Sequence, residues 1–151
     1  MRFSSKSLKG LVLGAVAGMI LFCSPSASNA FCFNEAAKRY GISPRILWAI
    51  AKVESGGNPR AINYNKNGTY DYGLMQINSI HKPELERVGI KWESLADPCT
   101  SVYVAAWLLS QHVQQYGYTW DAVGAYHSKT PSKRKRYAAL VGGQLKAHGG
   151  F

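Results

Sequence analysis

Glu54 stands where a surface glutamate should not. It follows Ile50 by four residues and Ile46 by eight, which at helical periodicity puts its carboxyl on an apolar face. Directly after it comes Ser55-Gly56-Gly57-Asn58-Pro59, a glycine-rich exit from the helix. A polar stretch containing Asn67-Gly68 follows and closes on Asp71-Tyr72-Gly73-Leu74-Met75-Gln76-Ile77-Asn78. Burial disfavours the charged form of a carboxyl and raises its pKa. A group tuned that way can give up a proton near neutral pH, as cleavage of a glycosidic bond requires. The competing reading is a helix-end glutamate bonded to nearby amides or to Arg60, because structural ion pairs also perturb carboxyls. Spacing alone leaves both open.

The elements that must position Glu54 can be read from caps and periodicity. Phe33 to Tyr40 reads as a short helix stopped by Gly41, with Glu35 solvated among Asn34, Lys38 and Arg39. Ser43-Pro44 starts a second helix, whose apolar side carries Ile46, Leu47, Ile50, Ala51 and Val53. Gly56 to Pro59 ends it, and Ala61 to Tyr72 reads as a hairpin turning at Asn67-Gly68. Leu74 to Ile77 is an apolar segment expected to pack under a cleft. His81 to Pro98 is expected to be irregular. A long helix over Val102–Tyr116 follows, with Ala105, Ala106, Leu109 and Val113 on one face and Trp107 read as core. Thr119 caps a short helix from Trp120 to about Tyr126. After Thr130-Pro131 a basic helix carries Lys133 to Arg136, then Tyr137, Leu140 and Val141, and the tail from Gly142 to Phe151 reads as frayed. The fold class expected is mainly α, a helical domain with a small β-hairpin beside the cleft.

Composition bounds the setting. The chain has 151 residues, about one domain's worth. Residues 1–30 read as a secretory signal peptide: basic Arg2, Lys6 and Lys9, an apolar run from Leu11 to Phe22, and a small-residue cleavage site at Ser28-Asn29-Ala30. That run is short of the roughly 20 residues a membrane span needs. Cys23 raises a lipid-anchor reading, which bulky Phe22 before it disfavours. The domain is then 31–151, expected to be periplasmic or secreted after cleavage near Ala30. Losing Arg2, Lys6 and Lys9 lowers the formal charge from +10 to +7, suiting an anionic polymer or surface. Cys32 and Cys99 remain, an even pair that favours a disulfide in an oxidising compartment, with two buried free thiols as the alternative. Closing that loop would contribute about 3–4 kcal/mol in the chain-entropy account. No CxxC or HExxH spacing occurs, so neither a metal nor a cofactor is expected.

Three motifs in order carry a resemblance: Glu54-Ser55-Gly56-Gly57-Asn58-Pro59, Gly73-Leu74-Met75-Gln76-Ile77-Asn78, and Ala125-Tyr126. Over about residues 31–140 the chain resembles the soluble lytic transglycosylases, the lysozyme-like SLT-domain family, and within it the small exported IagB- and IpgF-like branch. Those enzymes cut the β-1,4 bond between N-acetylmuramic acid and N-acetylglucosamine in peptidoglycan. Members of that branch open the wall for secretion systems, pili or conjugation machinery, whose components are the expected partners beside glycan strands. The resemblance makes Glu54 the catalytic acid and then base, and has Ser55 orient the glutamate or the sugar. Gly73, Leu74, Met75, Gln76 and Asn78 would line the substrate cleft, with Met75 near the sugar and Tyr126 contacting the region of Glu54. The family commonly has asparagine after that tyrosine, where this chain has His127 and then Ser128.

The run Gly68 to Ser79 is also similar to the hairpin strand of c-type lysozymes, and there Asp71 falls at the position of the second carboxylate, seventeen residues after Glu54. In a lysozyme such an aspartate stays ionised as nucleophile or electrostatic stabiliser. A lytic transglycosylase needs no partner acid, since the substrate's acetamido group assists and its C6 hydroxyl gives a 1,6-anhydro product. The plainer reading of Asp71 is a turn acid bonding backbone amides beside Asn67-Gly68. Tyr64 and Tyr70 are candidates to line the cleft. A water-using lysozyme and a non-catalytic wall-binding module are the competing functions. The Lys133–Arg136 run reads as a solvated or wall-facing helix rather than a nucleic-acid contact. A monomer is expected.

Overall fold

Glycine and proline set the first two helices. The architecture comes from a computed structural model that describes residues 31–149. The expected signal peptide over 1–30 and Cys23 lie outside the described residues. Helix α1 (Phe33–Tyr40) ends at Gly41, and helix α2 (Pro44–Ser55) ends at Gly56, both glycines left-handed with φ 65°. Ser43 is extended ahead of α2 but makes no side-chain cap bond, so the preset φ of Pro44 does more of the starting. The apolar side of α2 is in the core, with Leu47 and Ile50 at 0% exposure.

After α2 the chain forms a three-stranded antiparallel sheet in the order β1 (Ile62–Tyr64), β2 (Tyr70–Tyr72), β3 (Ile77–Asn78). The β1–β2 turn is at Asn67-Gly68 as expected, closed by Asn65 N donating to Thr69 O at 2.8 Å and Gly68 N to Asn65 O at 3.1 Å. The third strand was not expected; Ile77-Asn78 is too short to show alternation. Its register is informative. Asn63 pairs with Asp71, and Asp71 with Asn78, so an amide–carboxylate–amide row crosses one face. Tyr64, Tyr70 and Tyr72 alternate to the other face, where Tyr70 and Tyr72 pack on buried Trp92 at 5.7 and 6.0 Å.

The stretch expected to be irregular holds two ordered pieces: helix α3 (Lys82–Arg87) and a 3-10 turn over Trp92–Ala96. Each is anchored by few side chains, Leu85 in the first and Trp92 and Leu95 in the second, too few to mark a period. Helix α4 (Pro98–Tyr116) starts four residues earlier than Val102, because Asp97 caps it by accepting from Thr100 N at 2.7 Å. Trp107 is only half-buried, packed at the edge of the core. Helix α5 (Trp120–Ala125) follows its Thr119 cap.

Helix α6 (Pro131–Ala147) corrects the expected frayed tail. Gly142 and Gly143 each cost about 1 kcal/mol in a helix interior. Val141 and Leu145, one turn apart and 0% and 4% exposed, outweigh that by burial worth about 1.5–3 kcal/mol per side chain. Leu140 points the other way and is exposed. Helix α6 packs on α2 and α5, and α4 on α1 and α5. The α5–α6 approach is close enough that a Cβ on Gly124 would lie 2.3 Å from the Arg134 carbonyl oxygen. Cys32 and Cys99 form a disulfide, Cα–Cα 5.2 Å, tying the start of α1 to the first turn of α4. Among the described residues, no helix is long and apolar enough to cross a membrane. The mainly α, lysozyme-like expectation with a small sheet is met.

Candidate active site

The last turn of α2 and the amide–carboxylate face of the sheet form facing walls of a cleft of about 670 Å³, a size typical of ligand sites. Glu54, Asp71, Gln76, Asn78 and Tyr126 all line it. A smaller concavity of about 410 Å³ beside Phe31, Trp48 and Leu145 contains neither Glu54 nor Asp71.

Glu54 is half-buried, and its bonded partner is neither a backbone amide nor Arg60. Tyr137 Oη donates to Glu54 Oε1 at 2.5 Å. Burial pushes the Glu54 carboxyl up from 4.5 to about 7. The Tyr137 hydrogen bond pulls it down against that rise, and the Asp71 charge adds to it. The result is a carboxyl that holds its proton to neutrality on a solvent-reachable wall. Such a group can donate that proton to an oxygen bound in the cleft and take one back as a base.

Asp71 is bonded through side chains rather than the backbone amides of its turn. Its Oδ1 accepts from Asn78 Nδ2 at 2.7 Å and its Oδ2 from Asn65 Nδ2 at 3.0 Å. Both amides also reach Thr69 Oγ1, which donates onward to Asn67 Oδ1 at 2.8 Å. The two carboxyls thus sit in unlike settings across one cleft, one desolvated beside a phenol and one in a polar net.

Tyr126 Oη donates to the Met75 carbonyl at 2.9 Å, closing α5 onto the sheet side of the cleft. Burial first, then the charges of Glu54 and Asp71, hold its phenol well above the ordinary value, so it remains a neutral donor. Burial does the same to Tyr137, seconded by Glu54. His81 and His112, on the same wall, are both held below the ordinary histidine range, chiefly by burial.

Four of the expected site residues lie behind the wall rather than on it. Ser55 Oγ donates to the Leu74 carbonyl at 2.7 Å and accepts from Gly57 N at 3.2 Å, strapping the end of α2 to the next motif. Leu74 and Met75 have 0% exposure, so the Met75 side chain is in the core and its backbone holds Tyr126 and, through its N–H, Ser101 Oγ at 3.2 Å. Gly73 has φ 79°, and a Cβ there would come 2.6 Å from the Leu95 carbonyl oxygen. Gln76, itself at φ 48°, donates through Nε2 to the Gly73 and Ala61 carbonyls at 2.8 and 3.0 Å. That bond pins the turn that aims Asn78. Tyr64 and Tyr70 do not line the cleft; alternation sends them to the Trp92 side.

Tyr137 is the site residue that periodicity hid. It is spaced four and eight residues before Val141 and Leu145, so it reads as core, and it is 3% exposed. The available signal was its hydroxyl, which on a buried face demands an acceptor. Among the described residues, no group of three or more His, Cys, Asp or Glu could hold a metal ion.

Comparison with known proteins agrees with the three motifs. The sequence profile of the family described as "Transglycosylase SLT domain" matches residues 31–144. Protein IpgF of Shigella flexneri is 45% identical over 119 residues, covering 78% of each chain. Invasion protein IagB of Salmonella typhimurium (strain SL1344) is 45% identical over 128 residues, 82% of this chain and 80% of its own. A peptidoglycan-binding-like protein of Escherichia coli O157:H7 is 34% identical over 134 residues, 81% of this chain and 80% of its own. With a profile match across nearly all the described residues, and with Glu54 on a cleft wall, the chain belongs to the SLT-domain lytic transglycosylase family of enzymes, in its IagB- and IpgF-like branch.

Proposed function

We propose that this chain cleaves the β-1,4 bond between N-acetylmuramic acid and N-acetylglucosamine in peptidoglycan, releasing a 1,6-anhydro product. The observation that carries the reading is Glu54: a carboxyl raised to about 7 by burial, on a cleft wall, with one phenol as its bonded partner. Protonated Glu54 gives its proton to the glycosidic oxygen as the bond from C1 breaks, and the leaving sugar departs as an alcohol. The muramic acetamido oxygen stabilises the positive charge at C1. The Glu54 carboxylate then takes the proton of the muramic C6 hydroxyl, whose oxygen bonds to C1. No water is consumed, and Glu54 ends protonated as it began. Gln76 and Asn78, on the sheet side of the cleft, bind glycan, with Ser55, Gly73, Leu74 and Met75 supporting them from behind.

A second reading has a specific observation in its favour. Asp71 faces the same cleft with two side-chain amides holding its oxygens, the setting in which a lysozyme keeps its second carboxylate. Water would then attack C1, and the enzyme would be a hydrolase. Mass spectrometry of muropeptides released by the mature protein separates the two, because an anhydro product is one water lighter. An output of reducing-end sugars alone would overturn the anhydro assignment.

The proposal extends to setting. Residues 1–30 are removed on export, the domain 31–151 acts as a monomer in the periplasm or outside the cell, and local opening of the wall serves a secretion, pilus or conjugation apparatus. The invasion-associated name of the IagB relative supports that last point. Fractionation of cells carrying the full chain would test the export step, with the processed protein expected outside the cytosol.

A further inference from the structure

His127 is a residue of the cleft wall for which the proposed chemistry provides no task. Its imidazole lies parallel to the ring of Tyr137, 4.9 Å between centroids and 3° between planes. Tyr137 is buried while His127 is exposed, so the imidazole stands between the phenol ring and the open cleft. The base of the stack is fixed. His127 N and Ser128 N both donate to the Gly124 carbonyl at 3.2 Å, and neighbouring Tyr126 is bonded to Met75. The stack therefore joins two anchored elements, the turn after α5 and the face of α6 that looks at Glu54.

We propose that His127 is a positioning residue for Glu54, acting through Tyr137: the stacked imidazole holds the phenol ring so that its hydroxyl stays aimed at Glu54 Oε1. A phenol can swing about two side-chain bonds, and a hydrogen bond weakens steeply once donor and acceptor lose alignment. Parallel packing of the imidazole narrows that freedom on the face of the Tyr137 ring turned to His127. Through the Tyr137 hydroxyl, His127 thus helps set how tightly Glu54 holds its proton. Besides His127, the ionisable groups lining the cleft with Glu54 are Asp71 from β2, Tyr126 from the turn after α5, Lys66, His81, His112, and Lys133 one turn ahead of Tyr137. Core packing holds the buried faces of Tyr137, and among these cleft groups His127 is the one that stacks on its ring. The consequence for turnover rests on Glu54 being the acid; the consequence for its proton affinity does not.

The test is an NMR titration of the Glu54 side-chain carboxyl carbon in wild type, His127→Ala, His127→Phe, Tyr137→Phe and the His127→Ala/Tyr137→Phe double variant. Loss of the Tyr137 bond raises the Glu54 pKa, so Tyr137→Phe shifts the midpoint up, by about one pH unit for a hydrogen bond to a charged group. His127→Ala is expected to shift it in the same direction by about half a unit or more, and His127→Phe, which keeps a flat ring, to restore the wild-type midpoint. The double variant should match Tyr137→Phe alone, because the two residues act in series. An unmoved or lowered midpoint in His127→Ala, or additive shifts in the double variant, overturns the inference. Clearing of peptidoglycan by Glu54→Gln, run alongside, reports separately on the functional reading. Retained clearing there would remove Glu54 as the acid without touching the titration result.

Discussion

The Tyr137 hydroxyl meets the Glu54 carboxyl at 2.5 Å across 83 residues of sequence, joining the second helix to the last. Burial and the Asp71 charge favour the protonated acid, and this bond favours its conjugate base. The balance near 7 suits a group proposed to give a proton and then take one. Closing the domain by packing α6 on α2 is therefore also what completes the site.

Replacing Glu54 by Gln keeps shape and removes the proton. Peptidoglycan clearing is expected to fall by about 10²–10⁴-fold, the usual worth of a positioned acid and base. Thermal unfolding should be cooperative and not lowered. A variant that clears at the wild-type rate would end the proposed role.

Activity should decline as pH rises through about 7, where Glu54 loses the proton it is proposed to donate. Stability follows the same group. Its folded pKa lies above its unfolded one, so the folded state holds more protons between pH 4.5 and about 7. The contribution is full below pH 4.5, is lost as pH rises to about 7, and is flat beyond. It amounts to at most about 3 kcal/mol, reduced because Glu54 keeps an open edge. Urea unfolding at pH 5 and pH 8 should show this loss in wild type and not in Glu54→Gln.

Asp71→Asn removes a charge that raises Glu54 while leaving a side chain able to bond. On the proposed mechanism clearing persists within about tenfold, a small effect beside that of losing a general acid, and the product is still anhydro. The upper limb of the pH profile should move to lower pH. Loss as deep as that of Glu54→Gln would instead favour the two-carboxylate hydrolase.

Gly124→Ala should damage the fold without touching a reacting group. Its Cβ would meet the Arg134 carbonyl oxygen at 2.3 Å, a backbone atom that no side-chain rotation can move, so α6 must back away from α5. A cost of about 1–3 kcal/mol is expected from such overpacking. Because α6 carries Tyr137, the upper limb of the pH profile should move up as well. An unchanged unfolding midpoint would contradict the close approach.

Much of the candidate site was legible because its placement rests on local signals. Glu54 betrayed itself by standing on an apolar stripe, Gly41 and Gly56 ended their helices, and Asn67-Gly68 turned its hairpin. What could not be read depends on distant partners. Tyr137 looks like core until Glu54 is known to face it. The Met75 side chain is buried in the core, which leaves its backbone to hold Tyr126 and Ser101. Helix α6 continues through Gly142-Gly143 because Val141 and Leu145 find a groove that only the folded domain supplies. Alternation in three-residue strands was likewise too brief to say that Tyr64 and Tyr70 leave the cleft while Asn63 and Asp71 enter it.

That alternation ties the identity of the pocket to the solubility of the sheet. Sliding β2 by a single residue against its neighbours would turn Tyr70 and Tyr72 into open water and press the Asp71 carboxylate against Trp92. A mispaired chain would therefore be both chemically blank and sticky, a species for quality control to clear.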